Sequence, residues 1–182
     1  ERPRTRMPAL DAARGLAVVG MLLVNVGPTQ SDDLLYDFYM LPAGRASMLF
    51  VVVAGIGMTI ALRRGTPAKI VLWRAAVLLL LGLALLPLPH DVNIILPLYG
   101  AVFVSALLLH RLSTPILAAI AGLLAIAAPV IILGERIAGA ATLREYGADE
   151  GALHALLLSG PYPMAVWVVP FIVGMLIGRL DL

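Results

Sequence analysis

The chain has 182 residues, of which 61% are hydrophobic and only 13% are charged, and its formal net charge is +2. A soluble domain is nearer half apolar and a quarter charged, so this composition indicates a membrane protein. The small net charge gives no support for nucleic acid binding, and the absence of cysteine excludes disulfides, cysteine-ligated zinc and thiol catalysis. The three histidines lack the spacing of metal ligands, so no metal site is predicted.

Six apolar stretches are each about as long as a membrane-crossing helix, which needs roughly 20 mostly apolar residues. In chain order, the predicted spans are residues 8–27, 46–62, 69–88, 92–110, 114–133 and 162–178. Backbone at this depth is expected to be helical, because hydrocarbon offers it no hydrogen-bond partners. The predicted fold class is therefore all-α, a polytopic transmembrane helix bundle in a single domain. We expect it to be the N-terminal part of a longer membrane protein.

The basic residues fall almost entirely on one side of these six spans. Ten of the 13 lysines and arginines lie on the side where the chain begins, and the other side has only Arg45, Arg136 and Arg144. Positively charged residues favour the cytoplasmic side of a membrane. The pattern therefore predicts a multi-pass protein of the plasma or inner membrane, with both ends of the chain in the cytoplasm.

Two candidate anion-binding groups lie near the cytoplasmic boundary of this topology. Asp11 and Arg14 are three residues apart, so they share one helix face and can form an ion pair. They are either a topology anchor that reaches the lipid head groups, or part of a pocket for an anionic ligand such as the phosphates of a nucleotide-bearing cofactor. Arg74, one turn into the third span, has the same two interpretations, and reaching the head groups is the simpler one.

Asn25 ends the first predicted span, just before Gly27 and Pro28. The sequence leaves two interpretations open. Asn25 is either an ordinary residue at a helix C-terminus that a Gly-Pro pair brings to a stop, or a hydrogen-bond donor that faces a cavity and holds a carbonyl or an oxyanion.

His90 and Asp91 follow two prolines at the predicted outer face. Histidine is the side chain best suited to proton transfer near neutral pH, but a histidine in such a hairpin is more often structural. Asp91 also fits as the N-cap of a fourth span that begins at Val92. Pro97 would then lie one turn inside that span, where a kink is expected.

Two weaker signals lie toward the C-terminus. Residues 151–158 could form a short interfacial helix that is apolar on one face. Gly174 and Gly178 have the small-xxx-small spacing that usually serves the close packing of membrane helices. No phosphate-binding loop, HExxH sequence or serine nucleophile elbow is present.

The order of these pieces resembles the heparan-α-glucosaminide N-acetyltransferase-like proteins of the transmembrane acyltransferase superfamily. The likeness extends over most of the chain, and its motifs are moderately specific as an ordered set. They are RMPALDAARGLAVVGMLLVN (residues 6–25), FVVVAGIG (50–57), RAAVLLLLG (74–82), HDVNIILPLYG (90–100) and GPYPMAVWVVPFIVGMLIGRLDL (160–182).

The resemblance implies an integral membrane acyltransferase of about ten or eleven spans. Acyl-CoA, with acetyl-CoA as the family's donor, would bind from the cytoplasm, with Asp11 and Arg14 in the opening motif. The acyl group would pass to an extracytoplasmic acceptor, often a carbohydrate, near Asn25. The family's sugar-acetylating enzymes carry a catalytic histidine in the first outer loop, but residues 27–45 contain none. His90, next to Asp91, is our first choice for the missing base, and the aspartates of that loop are the second.

Two other classes of function stay open at this point. A transporter or flippase-like protein would use Asp11, Arg14 and Asp91 to line a path without catalysis. A structural membrane subunit would pack against a partner through its glycine-rich faces, and the same faces leave open a homo-oligomer.

Overall fold

The computed structural model describes residues 7–26, 44–85, 94–137 and 152–180. Within those ranges the chain is helical or in turns, with no β-strand. The helices are α1 (Pro8–Val26), α2 (Arg45–Arg63), α3 (Ala68–Leu85), α4 (Leu96–Leu109), α5 (Thr114–Ile137), α6 (Ala152–His154), which continues as a π-helical turn over Ala155–Ser159, and α7 (Met164–Ile177). The predicted all-α class is confirmed, and α6 lies where a short helix was predicted.

Four of these helices, α1, α2, α3 and α5, are long and apolar enough to cross a membrane. Helices α4 and α7 are equally apolar but have only 14 residues each. Large apolar side chains also cover the outside of the bundle. Leu16, Leu123 and Ile126, for example, are about 70% exposed, and a surface of this kind is suited to lipid rather than to water.

Helices α2 and α7 form the central pair, and glycine lets their backbones approach closely. A Cβ placed on Gly55 would overlap the carbonyl oxygen of Phe171, and one placed on Gly174 would overlap the carbonyl oxygen of Val52. The buried Thr59 hydroxyl donates a hydrogen bond to the Met175 carbonyl oxygen across the same contact, at 3.2 Å. The predicted packing role of the glycine spacing near the C-terminus is thus observed at this seam.

The other helices surround this central pair. Helix α1 lies beside α2, and α5 lies beside α7. Helices α3 and α4 form a close hairpin in which Gly82 contacts Pro97, and Gly100 contacts Leu79 and the carbonyl of Ala75. Helix α4 turns its other face to α7 and α2. Its Leu98 and Val102 are fully buried in the core, together with Phe171 of α7.

The start of α4 corrects the sequence prediction. A helix beginning at Val92 with a kink at Pro97 was expected, but Ile94 and Ile95 are not helical and α4 begins at Leu96. Pro97 therefore occupies the first turn, where the fixed φ of proline suits a helix and its missing N–H costs nothing. Asp91, the predicted N-cap, lies outside the described residues.

Two arginines join three helix ends at what we call the basic end of the bundle, the end that carries Arg63, Arg111 and Arg179. Arg63, the last residue of α2, donates hydrogen bonds to the carbonyl oxygens of Gly178 and Arg179 after α7, at 3.5 and 3.0 Å. Arg179 in turn donates to the carbonyl oxygens of Leu109 and His110 at the end of α4, at 3.4 and 3.3 Å. Cations at helix C-termini stabilise each end by roughly 0.3–1 kcal/mol.

Candidate functional site

A cavity of about 560 Å³ lies between the first four helices. Its lining is apolar and aromatic except at three polar side chains, Arg14, Arg74 and Tyr99. The lining residues are Arg14 from α1; Phe50, Val53 and Ala54 from α2; Trp73, Arg74, Val77 and Leu78 from α3; and Ile95, Leu96, Tyr99 and Phe103 from the start and first half of α4.

The guanidinium of Arg14 reaches this cavity across α2 at Gly57. A Cβ on Gly57 would overlap the Arg14 Nη2 atom, so the absence of a side chain at residue 57 makes room for the arginine. Asp11 accepts a hydrogen bond from Arg14 Nη1 at 3.4 Å, and the two side chains are 56% and 44% exposed. A pair this long and this exposed contributes little to stability, roughly 0–1 kcal/mol. The pair uses one N–H group of the Arg14 guanidinium, which has several others.

Arg74 of α3 lines the same cavity as Arg14 of α1. Arg14 and Arg74 each lie six residues inside their own helix, and Gly57 lies six residues before the end of α2, so all three are roughly 9 Å from the basic end. Trp73 lines the cavity beside Arg74 with 71% of its surface exposed. The structure therefore brings together two of the predicted anion-binding residues, and it places Asp11 behind one of them.

The far part of the cavity is an apolar slot with aromatic walls. The ring of Tyr99 packs against Phe50 and Phe103, with centroid distances of 5.1 and 5.9 Å. Along α2, the lining from Phe50 to Ala54 covers roughly 6 Å of helix, and Gly57, which contacts Arg14, lies one turn closer to the basic end. The site can thus hold an elongated molecule that is anionic at the basic end and mostly apolar beyond it.

The sequence predictions did not single out Phe50, Gly57, Tyr99 or Phe103 as site residues. A signal was present in the spacing on α2: Phe50, Val53, Ala54 and Gly57 follow the i, i+3, i+4, i+7 pattern of a single helix face. Tyr99 and Phe103 are likewise one turn apart on α4. This spacing does not predict that the two helix faces and Arg14 lie around the same cavity.

Of the predicted catalytic residues, Asn25 lies in the described part of the chain, and it does not line the cavity. Asn25 is exposed, and its Nδ2 atom donates a hydrogen bond to the Met21 carbonyl oxygen one turn earlier in α1, at 2.9 Å. His90 and Asp91 lie outside the described residues. In the part of the chain that is described, no group of three or more His, Asp or Glu side chains could hold a metal ion.

The family comparison indicates a membrane protein, as do the apolar helices and their exposed apolar side chains. The family model described as heparan-alpha-glucosaminide N-acetyltransferase, catalytic, matches residues 6–181. No curated protein and no solved structure gave a match. The family match spans every described helix, and it confirms the resemblance found in the sequence. The chain therefore belongs to the heparan-α-glucosaminide N-acetyltransferase catalytic family, a family of membrane acetyltransferases.

Proposed function

We propose that the protein is an integral membrane acyltransferase that moves an acyl group from cytoplasmic acyl-CoA, with acetyl-CoA as the family's donor, to an extracytoplasmic acceptor such as a sugar. The observation that carries the proposal is the convergence of Arg14 and Arg74 on one cavity with an apolar interior. Guanidinium groups bind phosphate oxygens through charge-assisted and often paired hydrogen bonds. The exposed face of Trp73 beside them suits the stacking of an adenine base.

The proposed topology has six spans with the basic end in the cytoplasm. The clustering of Arg63, Arg111 and Arg179 near one end of the bundle supports it, since basic residues favour the cytoplasmic side. Helices α4 and α7 would be the two short spans, extended by flanking chain. In this orientation the phosphates of CoA meet Arg14 and Arg74 on arrival, and the acyl end points into the membrane.

Acyl transfer also needs a base that takes the proton of the acceptor hydroxyl or amine as the acceptor oxygen or nitrogen attacks the thioester carbon, and a donor for the resulting oxyanion. The oxyanion then collapses, the carbon–sulfur bond breaks, and the base returns the proton to the departing CoA thiolate. We propose His90 as that base with Asp91 as its neighbour, and Asn25 as the oxyanion donor. Asn25 would have to exchange its hydrogen bond to Met21 for one to the substrate. Asp11 would keep Arg14 directed at the phosphates.

Thermal unfolding of the full-length protein in detergent tests donor binding. A ligand that binds only the folded protein adds about 2.7 kcal/mol of stability at 100 times its Kd, so saturating acetyl-CoA or a longer acyl-CoA is expected to raise the melting temperature. Adenosine alone, at the same concentration, controls for weak stacking and should give a smaller rise. If neither acetyl-CoA nor longer acyl-CoAs bind or stabilise the protein, a transporter or a structural subunit becomes the better explanation.

The substitution His90→Ala separates catalysis from donor binding. Removing a general base costs typically 10²–10⁴-fold in rate, so transfer to an acceptor is expected to fall by about that factor while acyl-CoA still raises the melting temperature. His154→Ala is the matched control and should leave both readouts unchanged. An unchanged transfer rate in His90→Ala would exclude His90 as the base, and the aspartates of the first outer loop would then be the next candidates.

A further inference from the structure

The cavity is lined by one polar side chain that the proposed function has not used, that of Tyr99. The side chain is 6% exposed, and its oxygen has no hydrogen-bond partner among the described residues. A buried hydroxyl without a partner is costly, because it gives up its bonds to water and receives nothing in return. Such a group is expected where a ligand supplies the missing partner.

The ring of Tyr99 cannot easily turn away from the cavity. It is held between Phe50 at 5.1 Å and Phe103 at 5.9 Å, and the next residue, Gly100, lies directly against α3. The ring is therefore held in place at the wall of an apolar slot. Its hydroxyl oxygen has less than 1 Å² of accessible surface, so a ligand that bonds to it must displace neighbouring side chains of the lining. A fixed donor in such a place recognises an acceptor oxygen with little loss of side-chain entropy.

The depth of Tyr99 indicates which part of a ligand it meets. Gly100 contacts the Ala75 carbonyl and Leu79, one and five residues beyond Arg74 along α3, so Tyr99 lies roughly 2–7 Å deeper than the backbone of Arg74. A ligand with its phosphates at Arg14 and Arg74 would place its uncharged, elongated part at this depth. In an acyl-CoA that part carries carbonyl oxygens, in the amides of its arm and in the thioester.

We propose that the Tyr99 hydroxyl donates a hydrogen bond to a carbonyl oxygen of the acyl-CoA, and that this bond fixes how far the donor enters the cavity. The proposal rests on the proposed function, because it assumes that acyl-CoA is the occupant. Tyr99 is then a binding residue. It favours a ligand whose carbonyl oxygen lies at a fixed distance from its phosphate groups.

The substitution Tyr99→Phe keeps the ring and removes only the hydroxyl. We expect about tenfold weaker binding of acyl-CoA, the usual effect of losing one neutral hydrogen bond. The ligand-free variant should unfold at the same temperature or roughly 2–4 °C higher, because an unpaired buried hydroxyl has been removed. Ser105→Ala is the control: the Ser105 hydroxyl lies on the same helix, donates to the Val102 carbonyl oxygen and does not line the cavity, so its loss should leave acyl-CoA affinity unchanged.

A thioether analogue of the same acyl-CoA, which lacks the thioester carbonyl, identifies the acceptor. If Tyr99→Phe weakens the binding of the thioester compound alone, the hydrogen bond is to the thioester. If it weakens the binding of both compounds equally, the hydrogen bond is to an amide of the arm.

Wild-type affinity of Tyr99→Phe for both compounds would overturn the proposal and leave the proposed acyltransferase function intact. A lower melting temperature of the ligand-free variant would also overturn it, since the hydroxyl would then be bonded within the protein. Failure of the wild type to bind acyl-CoA would instead refute the proposed function.

Discussion

The double variant Arg14→Ala, Arg74→Ala is expected to bind acyl-CoA at least about 100-fold more weakly than the wild type. A hydrogen bond to a charged group is worth roughly 1.5–3 kcal/mol, and each guanidinium would supply at least one to a phosphate. Both side chains line the same cavity at the same distance from the basic end, so their losses should combine. Titration calorimetry in detergent at a fixed salt concentration measures the effect.

Arg111→Ala is the control for this result. Arg111 is an exposed arginine at the basic end that does not line the cavity, so its removal changes the net charge but not the proposed site. Lysines at residues 14 and 74 should recover part of the affinity, because they restore the charge but not the paired hydrogen bonds. An equal loss from Arg111→Ala would mean that acyl-CoA is attracted only by the overall positive charge of this surface.

Among the proposed variants, Gly174→Ala is expected to lower the free energy of unfolding the most. The added methyl group would meet the carbonyl oxygen of Val52, a backbone atom that cannot rotate away, so α2 and α7 would have to separate. Overpacking of this kind typically costs roughly 1–3 kcal/mol and sometimes more. The expected result is a clearly lower melting temperature and a smaller monodisperse fraction in size-exclusion chromatography.

Gly122→Ala supplies a matched glycine. Gly122 lies in α5, and a Cβ there would meet nothing within 4 Å. Alanine is a better helix former than glycine by about 1 kcal/mol, so this variant should be as stable as the wild type or slightly more so. A stable Gly174→Ala would show that α2 and α7 do not pack as closely as described here.

Hydropathy was enough to locate the helices, because the cost of unpaired backbone in lipid leaves little choice of structure. Each predicted span contains a helix, although α4 and α7 are shorter than predicted, and the Asp11–Arg14 pair follows from helical spacing alone. The start of α4 was misjudged because Val92, Ile94 and Ile95 extend the apolar stretch toward Asp91, while Pro97 favours a helix that begins just before it.

The cavity was harder to foresee, since it depends on which helices become neighbours. Nothing local relates Arg14 to Gly57, although the contact between them decides where the guanidinium lies. The seam between Gly55 and Gly174 joins residues more than 100 positions apart. The sequence indicated a packing role for Gly174 and Gly178 but did not indicate Gly55 as their partner.

The arginine network at the basic end has a consequence for how the protein is made. Arg179 supplies donors to the last carbonyls of α4, yet it is synthesised about 70 residues after them. The face of α2 that carries Gly55 is synthesised even longer before α7, the helix on which it packs. During translation α2 and α4 are therefore complete before α7, their neighbour in this bundle, has been made. A fault in α7 would then appear as a chain that is inserted correctly but never assembled.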